Sequence, residues 1–141
     1  MVALMTGMMM LTGCDKKEPV GPSLNGDVPR PAWTSPSEYD YTSSMTAVVK
    51  VTNLNGQVIN DSVVKAEDVL AAFSGETCLG VAEYRDGLFF LFVTATDGDV
   101  TLRYWSKHYT NLFEAKDAFP YVNDTQKGTP SAPFTPSFVT K

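Results

Sequence analysis

The chain has 141 residues, of which 43% are hydrophobic and 19% charged, with a formal net charge of −5. Length and apolar fraction suit one domain built around a single core. The acidic balance argues against nucleic acid or an anionic membrane surface as a partner.

Residues 1–13 are apolar or small and carry no charge, and they end abruptly at Cys14-Asp15-Lys16-Lys17-Glu18. Spanning a bilayer as a helix takes about 20 apolar residues, so this run is too short. It has the length of a secretory signal core, about 7–15 residues. Leu11-Thr12-Gly13-Cys14 resembles the lipobox of bacterial lipoproteins, in which a leucine and two small residues precede a cysteine. The resemblance implies acylation of Cys14 and removal of residues 1–13. The leader departs from the pattern in having no Lys or Arg near Met1. Two or more acyl chains hold a protein stably on a membrane, at ~0.8 kcal/mol per buried CH₂, so no transmembrane helix is needed.

Residues 14–32 hold Pro19, Pro22, Pro29 and Pro31 among Gly, Ser and charged residues. Such a stretch cannot build a core and is expected to be a tether. In an extended, polyproline-like form it would reach roughly 55 Å from the lipid.

The folded domain is expected over residues 33–141. Residues 45–51 alternate, with Met45, Ala47, Val49 and Val51 on one face, which is strand periodicity. Asn55-Gly56 predicts a two-residue hairpin turn, with residues 57–64 as its return strand. Residues 69–73 form a short apolar strand ending at Ser74-Gly75. Residues 77–85 form another, ending at the Asp86-Gly87 turn. Residues 88–95 are apolar on both faces, which predicts the most buried strand of the protein. After Asp97-Gly98, the run 99–106 sets Val100, Leu102 and Tyr104 against Thr101, Arg103 and Trp105. Residues 111–118 are expected as strand, loop and strand, and 119–122 as an edge. Prolines keep residues 128–136 out of a sheet centre. Phe134 and Phe138 are expected to pin the tail to the core.

Asx-Gly and Ser-Gly turns between β-rich runs predict an all-β fold, a single antiparallel β-sandwich of immunoglobulin-like or jelly-roll-like type. The order Ser44-Met45-Thr46, Asp68-Val-Leu-Ala-Ala-Phe73-Ser-Gly75, Cys78-Leu-Gly80-Val-Ala82 and Leu102-Arg-Tyr-Trp105 resembles a β-sandwich module of secreted and surface proteins of Bacteroidetes. That resemblance covers roughly residues 33–136 and implies fold and location, with no activity attached. Gly80 and Ala82 would let a facing strand or ring approach closely.

Chemistry is sparse. A Ser or Cys nucleophile needs a base held by a third group, and the one histidine, His108, stands beside Lys107 and Tyr109 after a strand. Glu83, Glu114, Asp117 and Asp124 are carboxylates with no pairing evident in the sequence, as a glycosidase would need. Asp97-Gly98-Asp99 falls far short of a calcium loop. Neither a metal site nor a cofactor is expected. With Cys14 lipidated, Cys78 has no disulfide partner, since the chain holds two cysteines, and it is expected as a small buried hydrophobe.

The remaining candidates are aromatic. Trp33, Tyr39, Tyr41 and Tyr109 sit in polar segments, while Arg103 and Trp105 should face away from the core. They form either a ligand-binding surface, whose flat rings would stack on a pyranose, or a packed second layer in which Trp105 lies under the segment from Trp33 to Tyr41. The expected function is that of a non-enzymatic, lipid-anchored binding or accessory module with a glycan or protein ligand. A structural subunit or stalk element of a cell-surface assembly is the alternative, and a small hydrolase the second alternative. The expected location is the outer membrane, at the cell surface or the periplasmic face. Asp15 after the cysteine resembles the inner-membrane retention signal of enteric bacteria. Charged residues there also resemble a surface-export signal in Bacteroidetes, which agrees with the module resemblance.

Overall fold

The computed structural model describes residues 23–37 and 43–141. Cys14, Tyr39 and Tyr41 lie outside the described residues.

The chain is almost wholly strand, arranged as two packed sheets. Strand β1 (Ser44–Val49) is followed by the small hairpin β2 (Asn53–Leu54) and β3 (Gln57–Val58), then β4 (Val69–Ser74), β5 (Thr77–Val81) and β6 (Glu83–Arg85). Next come β7 (Leu88–Thr94), β8 (Asp99–Ser106), β9 (Asn111–Ala115), β10 (Phe119–Pro120), β11 (Gln126–Lys127) and β12 (Phe138–Thr140). The larger sheet runs β3-β2-β12-β9-β8-β4-β5, with β10 also paired to β8, and the smaller runs β11-β1-β7-β6. The all-β sandwich is thus observed. Most pairings are antiparallel, but β11 joins β1 and β12 joins β2 in parallel, so both sheets are mixed.

Strand alternation builds the core as expected. Met45, Ala47 and Val49 of β1 and Phe89, Leu91 and Val93 of β7 point inward from the smaller sheet. Leu70, Ala72, Val100, Leu102, Tyr104 and Phe113 meet them from the larger sheet. Phe138 is fully buried among them, and Phe134 packs against the cluster with its ring edge-on to Phe119. These two rings hold the Pro-rich tail, whose backbone bridges to the smaller sheet at Val49–Phe134.

Turn chemistry sets the hairpins. Asn55 and Gly56 have φ of 54° and 79°, and Asp86 and Gly87 have 54° and 84°, the positive pair that a two-residue hairpin requires. Asp97-Gly98 differs: neither residue has positive φ, and the link between β7 and β8 is a wider bend. The expected return strand over 57–64 stops at Val58. Asn60 instead caps a 3₁₀ turn, Asp61–Val63, by accepting from the Ser62 N–H, because short polar side chains compete with a ladder for backbone donors.

Residues 77–85 do not form one strand. The segment leaves the larger sheet after Val81, and β6 joins the smaller sheet beside β7. The crossing depends on Gly80, where a Cβ would stand 1.9 Å from the Phe92 carbonyl oxygen. The expected burial of 88–95 is corrected in the same region. Its inward residues are buried, but Phe92 is 65% exposed and Phe90 half-buried. The strands buried on both faces are β4, from Val69 to Phe73, and β8, from Leu102 to Ser106.

Candidate binding groove

The outer face of the larger sheet is where most of the sequence-selected aromatic residues lie. Trp105 stands opposite Val69, and Arg103 opposite Ala71, on paired strands β8 and β4. Residues 23–37 run across this face. The Gly26 and Val28 N–H groups donate to the carbonyls of Tyr109 and Thr110, both at 2.9 Å. The Trp105 indole N–H donates to the Val28 carbonyl at 2.8 Å, and Asn111 Nδ2 to that of Leu24 at 3.2 Å. Farther along, Arg30 Nε donates to the Glu67 carbonyl, and Ser35 Oγ accepts from the Val81 N–H at 2.8 Å. The part of the expected tether from Ser23 onward is therefore laid down on the sheet. Its backbone donors and acceptors, spaced by prolines, are met by the turn at the start of β9.

Covered in this way, Trp105 is 4% exposed and Arg103 7%. Trp33 packs edge-on against Phe73, with ring centroids 5.1 Å apart. The Arg103 guanidinium lies over the Phe73 ring, 4.2 Å from its centroid. It also bonds Glu114 Oε2 at 3.1 Å, Glu76 Oε2 at 3.0 Å and the Gly75 carbonyl at 3.2 Å. Burial works against the charge of Arg103, but the two glutamates more than offset it and hold its pKa above the ordinary value. Hydrogen bonding to Arg103 in turn lowers that of Glu76. Tyr109 is half-buried beside His108. Trp105 and Arg103 are thus buried with their polar atoms engaged, and the half-buried Trp33 joins the same layer through its ring contact with Phe73. Trp105 is packed, but under residues upstream of Trp33, with Val28 as its partner, and not under the segment from Trp33 to Tyr41 weighed from sequence.

A second buried polar cluster ties the strand ends together. Asp68 accepts from the Tyr104 hydroxyl, from the Lys65 N–H at 2.9 Å and from the Lys107 N–H at 2.8 Å. Burial pushes the Asp68 carboxyl up, against the pull of these donors. It likewise raises the Tyr104 hydroxyl, with the Asp68 charge adding to the effect. Both groups are fully engaged and closed to a ligand. Among the described residues, no three His, Cys, Asp or Glu side chains converge to hold a metal ion. Cys78 is half-buried and its thiol pKa is raised by that burial, which makes it a poor nucleophile.

The open site lies on the other outer face, that of the smaller sheet. Here a groove of about 920 Å³ is floored by Thr46, Val48, Phe90 and Phe92, with Ser35-Pro36 and Glu83 on one side and Gln126 and Pro130 on the other. Register explains it. Gln126 stands beside Thr46 and Thr46 opposite Phe92, one outward row across β11, β1 and β7. The next row is Val48, Phe90 and Glu83, across β1, β7 and β6. Val48 at the floor is 5% exposed, whereas Phe92 stands up into solvent. A concave surface of this size, apolar at its floor and polar at its rim, has the make-up of a ligand site.

The sequence carried a signal for this site in the doubly apolar run 88–95. Burial on both sides is one outcome of such a run, and an open apolar face is another. Thr46, the cross-strand neighbour of Phe92, marks that face as outside the core. Comparison with protein-family models, curated proteins and solved structures finds no match to this chain.

Proposed function

We propose that the chain is a non-enzymatic binding module of the bacterial cell envelope, held on the outer membrane by acyl chains on Cys14, with the Phe92 groove as its binding surface. The observation that carries this reading is Phe92, 65% exposed beside the half-buried Phe90 in a groove walled by Ser35-Pro36 and Pro130. An exposed large aromatic ring in a concave surface is the usual mark of an interaction site. The sheet edges support it by contrast. Three of the four outer strands, β3, β6 and β11, have only two or three residues. Strand β6 carries the Glu83–Arg85 ion pair, and on the five-residue fourth, β5, the Val81 N–H is taken by Ser35 Oγ. Short, charged edges resist pairing with another chain, which weighs against a stalk assembled through its strands.

Retention of the labelled chain on polysaccharide and protein fractions of the parent envelope tests the proposal. Phe92→Ala abolishes retention on the fraction that holds the wild type, and Val58→Ala, at an exposed position on the opposite sheet, leaves it intact. Retention that ignores Phe92 on both fractions rules the groove out. Labelled-palmitate incorporation, lost in Cys14→Ser, tests the anchor.

A further inference from the structure

We infer that the Phe92 groove takes an uncharged saccharide chain, stacked on Phe92 and hydrogen-bonded by Thr46, Gln126 and Ser35; this rests on the groove being the binding surface. Charge is the first argument. Among the described residues, Glu83 is the only charged side chain lining the groove, and its carboxylate is already bonded to Arg85 Nη2 at 2.6 Å. Arg85 in turn lies over the Phe90 ring, 5.3 Å from its centroid. Among the described residues no unpaired cation lines the groove to hold a carboxylate, sulfate or phosphate, and the chain's net charge of −5 repels anionic polymers at long range.

Backbone geometry is the second argument. The floor strands β1 and β7 are the inner strands of their sheet, flanked by β11 and β6. On the β11 side, the Thr46 N–H donates to Thr125, and Val48 accepts from Phe134. An extended peptide captured by strand addition needs an open edge; β1 has none, and β7 is paired with β6 over Leu88–Phe90. Across β1 and this paired part of β7 a ligand is read by side chains.

Those side chains are neutral donors and acceptors suited to hydroxyl groups. Ser35 Oγ accepts from the Val81 N–H, which leaves its O–H to donate. Gln126 Nε2 gives one hydrogen to the Gly128 carbonyl at 3.0 Å, leaving its second N–H and its Oε1 for a ligand. Beside them the negative face of the Phe92 ring matches the weakly positive C–H face of a pyranose. Four strands at ~4.8 Å spacing make a floor roughly 14 Å across, room for more than one sugar unit.

Affinity electrophoresis of the full chain through gels containing neutral polysaccharides (amylopectin, xyloglucan, galactomannan, mixed-linkage β-glucan) and anionic ones (polygalacturonate, alginate) tests the inference. At least one neutral polysaccharide retards the wild type, and about 0.5 M salt leaves that retardation unchanged because no ion pair is screened. Phe92→Ala weakens binding about tenfold or more, a loss of the size expected for an aromatic anchor, while Val58→Ala binds as wild type. Retardation only by the anionic polymers, or equal retardation of the Phe92→Ala variant, overturns it. Absence of retardation by every neutral polymer also overturns it. If Phe92-dependent retention on the envelope protein fraction persists in that case, the groove remains a binding surface and only the saccharide assignment falls.

Discussion

The indole nitrogen of Trp105 donates to the backbone carbonyl of Val28, 77 residues earlier in the chain, at 2.8 Å. A proline-spaced segment thereby becomes the outer layer of a sandwich. The contact gives Trp105 a hydrogen-bond partner in a place where an unpaired indole N–H would be costly.

Trp105→Ala is accordingly expected to cost about 3–5 kcal/mol, the range for removing a large buried aromatic side chain. Trp105→Phe keeps most of the packing and loses the single hydrogen bond, about 1 kcal/mol. Urea titration followed by far-UV circular dichroism measures both. A Trp105→Ala variant as stable as wild type would mean that residues 23–37 do not cover the sheet in solution.

At Gly80 the backbone lies against the Phe92 carbonyl with no room for a side chain. Gly80→Ala sets a methyl group against a backbone carbonyl that cannot move aside, and about 3 kcal/mol of stability is expected to be lost. Gly98→Ala is the control. Its added Cβ would meet only Ser74 Oγ, at 3.4 Å, and its φ is not positive, so stability stays within about 0.5 kcal/mol of wild type. Because the same crossing seats β7, Gly80→Ala should also weaken any ligand that depends on Phe92.

Arg103 is expected not to tolerate its usual replacement. Its fork reaches Glu76, Glu114 and the Gly75 carbonyl while its flat face covers Phe73. Lysine has one point of charge and no planar face. Arg103→Lys should lower stability by about 1–2 kcal/mol, since the guanidinium is buried although Glu76 is open to water. Comparison of denaturation midpoints checks this, and a neutral result would mean that Phe73 packs equally well without the guanidinium.

The Asp68 carboxyl and Glu76 make opposite contributions to the pH dependence of stability. Asp68 is raised by burial, so between the ordinary aspartate range and its raised value the folded state keeps a proton that the unfolded chain has released. Stability from this group is fullest at low pH and falls as pH climbs through that window. Glu76 is lowered by Arg103. Its stabilisation is present above the ordinary glutamate range and is lost as pH falls through the depressed value. Melting curves from about pH 3 to pH 7 should therefore differ in sign. Asp68→Asn removes a decline with rising pH, and Glu76→Gln removes a decline with falling pH. A profile unaltered by Asp68→Asn would show that Tyr104, Lys65 and Lys107 hold this carboxyl at its ordinary value.

Much of the fold was legible because strands and turns are local. Alternation at Met45, Ala47 and Val49 chose the inward face of β1, and Asn55-Gly56 and Asp86-Gly87 supplied the positive φ values of their hairpins. Gly80 was recognisable as a point of close approach, though which backbone atom it meets was not. Two expectations failed for reasons the local pattern does not carry. The run 77–85 reads as one strand because both halves have strand composition, and only the packing of two sheets makes it bend between them. The run 88–95 reads as buried on both faces because it is apolar on both. Whether a sheet face is covered depends on segments distant in sequence.

That dependence divides what the sequence determined from what the tertiary structure decided. Composition, period and turn residues by themselves determined an all-β chain with a sandwich core, since each is a property of a few neighbouring residues. They also determined which residues point away from that core. The tertiary structure decided which outward face stays open. Residues 23–37 find backbone partners in the turn before β9 and shelter Trp105, whereas Phe92 is left standing in solvent. The physical reason is that covering a face takes hydrogen-bond partners and apolar contacts between segments far apart in the chain, and no local pattern encodes their meeting.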